Sequence, residues 1–323
     1  MPLDPDAETL LAMIRAAGRP PFETLTPAEA RQAFNAGRKV TAPEPQDVAE
    51  VRDLACPGPR GEIKLRAYRP RGTAADEVLP GLIYFHGGGW LLGDLDSHDA
   101  ACRHYANGAR CRVLSVDYRM APEHKFPAAV DDSAAATKWI VANAAALGIN
   151  HTRVAVGGDS AGGNLAAVLA IMARDGALPP VVYQLLVYPA TDMAMVTRSS
   201  QTATVGILTT PTMKWFIDYY LRGPKDVTDW RASPLRAADL SGVAPALVLT
   251  CSYDPLCDEG IAYAQRLERE GVRVMHVHYS DQTHGFVGQG KIIRAAGTAL
   301  DMMAAALKKA LWPPPPIELP KGR

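Results

Sequence analysis

The chain has 323 residues, 48% of them hydrophobic and 21% charged, and its 34 Lys and Arg are balanced by 34 Asp and Glu. That length can bury a sizeable core as one large α/β domain or two ordinary ones. The zero net charge argues against a nucleic-acid partner.

The start, Met1-Pro2-Leu3-Asp4-Pro5-Asp6, lacks the positive and apolar regions of a secretory signal. No stretch reaches the roughly 18 uninterrupted apolar residues of a membrane helix. Five scattered cysteines (56, 102, 111, 251 and 257) match no metal-ligand spacing and read as reduced thiols of a cytoplasmic protein.

Along the chain, residues 1–45 read as a pair of short helices and a connector. Asp4-Pro5 starts the first helix, with Leu10, Leu11 and Ile14 at helical spacing. Thr26-Pro27-Ala28-Glu29 is a capping box that starts the second. Strands and helices then alternate through residues 46–192 and again through 231–311. Ile63–Tyr68 alternates like a half-exposed strand. Leu82–Phe85, Arg112–Val116, Val154–Val156, Leu185–Val187 and Ala246–Thr250 are short apolar runs of the kind buried on both faces. Val272–Tyr279 alternates again, and as an edge strand it could pair two subunits into a homodimer.

Helix candidates lie between them at Ser97–Gly108, Pro127–Leu147, Ala161–Arg174, Asp258–Glu270 and Ile292–Leu311. The alternation predicts an α/β fold with a mostly parallel sheet covered on both faces. Residues 193–230 break the rhythm and read as an inserted cap packed with the N-terminal helices. Residues 312–323, led by Trp312 and a proline run, read as an extended tail.

Two glycine motifs carry the chemistry. Gly158-Asp159-Ser160-Ala161-Gly162-Gly163 has the G-x-S-x-G form of a nucleophile elbow, between the Val154–Val156 strand and the next helix. Small flanking residues let the backbone turn sharply enough to raise the Ser160 hydroxyl above the sheet. His86-Gly87-Gly88-Gly89-Trp90 has the form of the loop that supplies oxyanion amides, because glycines let N–H groups approach a substrate oxygen. The amide of Ala161 is a further donor. His86 itself is read as structural.

A serine needs a base and the base an orienting acid, in the chain order Ser, Asp or Glu, His. His284 follows the last strand, whereas His276 and His278 fall within it. Asp254 follows the Ala246–Thr250 strand. Asp258 and Glu259 sit where acids favour a helix N-terminus anyway, and Asp281 is close to His284 in sequence.

With these residues in hand, the chain resembles the bacterial hormone-sensitive lipase family, carboxylesterases of the α/β-hydrolase fold. The resemblance rests on the segments 86–90, Asp117–His124 with Phe126-Pro127-Ala128, 158–163, Asp254-Pro255-Leu256 and His284-Gly285-Phe286. It implies a triad of Ser160, Asp254 and His284, oxyanion amides from Gly88, Gly89 and Ala161 (with Gly87 in place of Gly89 left open), and no cofactor or metal. It also implies that Asp117–Glu123 is scaffold, and that 1–45 and 193–230 form the cap. Trp90, Leu208, Trp215, Phe216 and Tyr219 are candidates to line a pocket for a small ester substrate. Met120 stands where a leucine is usual. An amidase, carbamate hydrolase or lactonase could use the same triad. A non-catalytic binding protein could also use the pocket, as the plant gibberellin receptors do, although those lack the catalytic histidine.

Overall fold

The computed structural model describes residues 1–313; most of the proline-rich tail read at 312–323 lies outside the described residues. The Asp4 carboxylate accepts the Asp6 and Ala7 N–H groups at the N-terminus of α1 (Pro5–Ala16). Thr26 and Glu29 close the expected capping box of α2 (Pro27–Thr41). There follow β1 (Glu50–Gly58), β2 (Gly61–Arg69), β3 (Leu79–Phe85), α3 (Asp99–Ala109), β4 (Arg112–Asp117), α4 (Ala128–Ala142), β5 (Ile149–Asp159) and α5 (Ala161–Arg174). Next come β6 (Tyr183–Val187), α6 (Arg198–Thr202), α7 (Thr210–Tyr220), β7 (Ala246–Tyr253), α8 (Cys257–Arg269), β8 (Val274–Thr283) and α9 (Ala295–Leu311).

The eight strands form one sheet in the order β1-β2-β4-β3-β5-β6-β7-β8. β2 is antiparallel to β1 and β4, and every other neighbouring pair is parallel. The period-2 alternation of strand side chains sorts the core into two layers. Ile83, Phe85, Val156, Leu186 and Val248 face one, with α4, α5 and α8. Leu82, Tyr84, Ala155, Leu185 and Leu249 face the other, with α1, α3 and α9. Parallel strands buried on both faces thus explain the short apolar runs.

β1 was not expected from the sequence. It is an edge strand in which Cys56 alone is buried, so it carries no apolar pattern to read. β8 runs on to Thr283, beyond the expected end at Tyr279. Within 193–230 lie α6, α7 and a 3-10 turn at Pro224–Thr228. Among the described residues no helix is long and apolar enough to cross a membrane.

Candidate active site

Ser160 joins β5 to α5 with φ 55° and ψ −116°, a conformation that L-residues adopt only when their surroundings impose it. Its N–H donates to the Val187 carbonyl at 2.8 Å. A Cβ at Gly158 or Gly162 would overlap the Phe85 carbonyl oxygen at the end of β3, so β3, β5 and α5 meet backbone to backbone. The turn brings Ser160 to the rim of a cleft while leaving it only 8% exposed.

His284 and Asp254 converge on this serine from the ends of β8 and β7. His284 Nδ1 lies 2.7 Å from Asp254 Oδ2, and its Nε2 lies 2.9 Å from Ser160 Oγ. A carboxylate only accepts, so Nδ1 carries the proton and Nε2 is left to accept from the hydroxyl. The other Asp254 oxygen accepts the Leu256 N–H at 2.8 Å, and the His284 N–H donates to the Tyr253 carbonyl at 3.2 Å. His276 and His278 instead share the Thr250 hydroxyl, each 2.9 Å away.

The glycine loop at 86–90 is ordered by Asp159 and His86. The Gly87 N–H donates to Asp159 Oδ1 at 3.0 Å, so this amide is already engaged. The Gly87 carbonyl faces His86 Nδ1 at 2.9 Å, which turns the Gly88 N–H of the same trans peptide the opposite way. Among the described residues the Gly88, Gly89 and Ala161 amides have no acceptor. Gly88 and Gly89 stand at φ 117° and 61°, where a side chain would be strained. A Cβ at Gly89 would also overlap the Phe216 ring.

The His86 ring is buried and stacked on Tyr118 at 4.4 Å, and burial pushes its pKa down to about 4. It is therefore neutral near pH 7. The Tyr118 hydroxyl donates to the His86 carbonyl at 2.7 Å, and the Ala121 N–H to the Trp90 carbonyl at 2.9 Å. Arg31 of α2 bonds the Leu91 and Ala121 carbonyls, each at 2.8 Å. The 117–123 segment thus braces the loop from behind.

The cleft has a volume of about 90 Å³, and Leu208, Met213 and Phe216 form part of its wall together with Phe22 and Phe34. Trp90 borders it, but its ring is fully buried and stacked on Tyr220 at 4.2 Å. Trp215 and Tyr219 do not reach it. On α7 they project from the flank beside the Thr212–Met213–Phe216 face and pack edge-on against each other at 5.1 Å.

The sequence reading also passed over several residues. Asp159, His98 and Arg38 all lie at the cleft. Glu259, expected only to favour a helix terminus, is buried and accepts the Thr191 and Asp192 N–H groups at 2.6 and 3.1 Å. Burial pushes its carboxyl up to about 8. A buried partner 68 residues away leaves no mark in local sequence. For Asp159 there was one signal, its position beside the nucleophile at the end of a buried strand.

The α/β-hydrolase fold family matches residues 82–288. The chain is 42% identical over 316 residues to the carboxylic ester hydrolase LipN of Mycobacterium tuberculosis, covering 96% of this chain and 83% of that protein. To the ethyl acetate hydrolase of Pseudomonas putida it is 39% identical over 320 residues, covering 96% and 100%. A solved α/β hydrolase enzyme from the metagenome of Lake Arreo superimposes with a TM-score of 0.91 at 43% identity, over 95% of this chain and 98% of that one. The chain belongs to the α/β-hydrolase family, among its hormone-sensitive-lipase-like carboxylesterases.

Proposed function

We propose that this chain is a serine carboxylesterase that hydrolyses short-chain esters through an acyl-enzyme at Ser160. The observation that carries this reading is the continuous hydrogen-bond chain from Ser160 Oγ through His284 to Asp254. Ser160 attacks the ester carbonyl as His284 Nε2 takes its proton, and Asp254 stabilises the resulting imidazolium. The developing oxyanion lies against the Gly88, Gly89 and Ala161 amides, at the positive N-terminal end of α5. His284 then protonates the leaving alcohol. Water enters by the same base and releases the acid.

The cleft of about 90 Å³ under Phe216 and Leu208 favours a short acyl group, and an ethyl acetate hydrolase among the relatives fits that size. In this reading residues 1–45 and 193–230 are the cap. The five unpaired, buried cysteines support a reducing compartment, the cytoplasm. β8 at the sheet edge supports a homodimer, which light scattering of the purified chain tests.

The deciding experiment compares wild type and Ser160→Ala on p-nitrophenyl esters of increasing chain length. Activity is expected on acetate and butyrate in the wild type and none above background in the variant. Equal activity in both, no activity in the wild type, or phosphonate labelling at another residue would overturn the assignment.

A further inference from the structure

The loop that carries the oxyanion amides leaves β3 at His86 and enters α3 at Asp99. Both of its ends converge on one carboxylate, that of Asp159, the residue before the nucleophile. At the near end, Asp159 Oδ1 accepts the Gly87 N–H at 3.0 Å and the Tyr84 hydroxyl at 2.8 Å. The fit is tight enough that a Cβ at Gly87 would overlap Asp159 Oδ2. At the far end, His98 Nε2 lies 3.3 Å from both carboxylate oxygens. His98 occupies the N-cap position of α3 but makes no capping bond; its ring, 4% exposed, turns to Asp159 instead.

The chain of contacts continues outward. His98 Nδ1 is 2.8 Å from Ser97 Oγ, which accepts the Asp94 N–H at 2.9 Å, while the Ser97 N–H donates to Asp94 Oδ1 at 2.7 Å. Burial alone would raise the Asp159 carboxyl. The His98 imidazole and the Tyr84 hydroxyl outweigh that and hold it well below the usual carboxylate range, so it stays an acceptor. The one serine hydroxyl on His98, that of Ser97, also donates to the Asp94 carbonyl at 2.9 Å, while Ser160 is bonded to His284.

We propose that Asp159 and His98 are positioning residues that set the oxyanion loop: the carboxylate fixes Gly87, and through it the direction of the Gly88 and Gly89 amides, while His98 ties the loop's far end to the same point. This rests on the esterase reading above, with those amides as oxyanion donors. A loop anchored at both ends to the residue beside the nucleophile keeps its donors at a set distance from the reacting carbon. Release of either end lets the amides swing without moving the triad. The expected signature is a loss confined to the transition state.

The test measures kcat and KM on p-nitrophenyl acetate per active site titrated with a phosphonate, together with inhibition by a trifluoromethyl ketone, which becomes an oxyanion on the serine. His98→Ala and Asp159→Ala are expected to lose about 10- to 100-fold in kcat, to hold KM within about threefold, and to lose ketone affinity in proportion. His98→Gln, which keeps an N–H toward Asp159, recovers part of the loss. Tyr84→Phe, which removes one bond and keeps the packing, costs about two- to fivefold in kcat. A kcat per titrated site within about twofold of wild type in both alanine variants, or a loss that appears in KM or stability alone with ketone affinity unchanged, overturns the proposal. Where the alanine variants do not fold, unchanged kcat and ketone affinity in both His98→Gln and Tyr84→Phe overturn it. Ser160→Ala assayed alongside separates the two readings. An active wild type with an inert Ser160→Ala leaves the esterase assignment standing whatever His98 does, and an inactive wild type sinks the assignment itself.

Discussion

The floor and the roof of the cleft are held by different forces. On the floor, Ser160, Asp254 and His284 sit at the ends of β5, β7 and β8, and backbone contacts at Gly158 and Gly162 lock the serine turn against Phe85. The roof touches the floor mainly through side chains, with backbone bonds at single points such as the Lys291 N–H to the Thr41 carbonyl at 3.1 Å and the Phe126 N–H to the Tyr220 carbonyl at 2.8 Å. Phe216 of α7 lies over Gly89 and Arg38 of α2 reaches the Ser97 and Gly288 carbonyls at 2.8 Å, while the Thr212 hydroxyl joins the two parts of the roof through Glu23 at 2.6 Å. Hydrogen-bonded strand ends, β5 and β7 paired on both sides and β8 on one, have few alternative arrangements, whereas side chains on short helices have many. On the proposed reading the reaction is a property of the floor and the choice of ester a property of the roof, with Gly89 and Phe216 as the place where they meet.

The largest effect comes from a floor residue that touches no substrate. Asp254→Asn leaves the ring pocket filled but offers the wrong partner to His284 Nδ1, and kcat should fall about 10³- to 10⁴-fold with KM little changed. A mainly KM effect in steady-state kinetics would break the division between floor and roof.

Gly89→Ala attacks the meeting point. Its Cβ would strike the Phe216 ring and strain a φ of 61°, and kcat should fall about 100-fold. Adding Phe216→Ala should restore part of that rate, and no recovery would assign the whole loss to the backbone. Phe216→Ala alone should keep the acetyl rate and raise kcat/KM for octanoate relative to acetate by about tenfold. A chain-length profile parallel to wild type would remove Phe216 from the roof's selectivity.

Arg38→Met cuts the clasp between α2 and the loops after β3 and β8. It should lower Tm by about 3–5 °C and raise KM a fewfold while kcat holds, as scanning calorimetry and kinetics would record. Glu259→Gln should leave rate nearly untouched and alter stability with pH. The Glu259 carboxyl has a folded value of about 8 against 4.5 as the ordinary value. The fold therefore binds its proton more tightly than the unfolded chain does, and the associated stability is full below about 4.5 and is lost as pH rises through about 8. Glutamine stays neutral throughout, so its Tm advantage should grow from pH 5 to pH 9. Parallel curves would contradict the buried-acid assignment.

The floor was largely legible in the sequence because each of its parts is adjacent to a strand end. Ser160 follows Val154–Val156 within a few residues, and His284 and Asp254 follow apolar or alternating runs. β1 was missed because a strand that buries only Cys56 has no pattern. In the roof, the aromatic stretch of α7 announced a helix but not its orientation. Trp215 and Phe216 differ by one position, which is about 100° around the helix axis, and only Phe216 faces the cleft. His98 was invisible for another reason. Its partner, Asp159, lies 61 residues on, at the end of the neighbouring strand β5, and nothing local distinguishes such a histidine from a surface one.

Phe85 carries one further consequence. Its carbonyl touches the elbow at Gly158 and Gly162, and the next residue, His86, begins the loop of donor amides. The nucleophile's turn thus packs against the strand end from which the donors start, and their spacing is set by backbone packing between β3 and β5 and by the Asp159 tie rather than by anything overhead. Warming loosens side-chain contacts between short helices before it separates central parallel strands. As temperature rises, then, the protein should lose discrimination among acyl chains while it still turns over the smallest ester, and fidelity should fail at a lower temperature than catalysis.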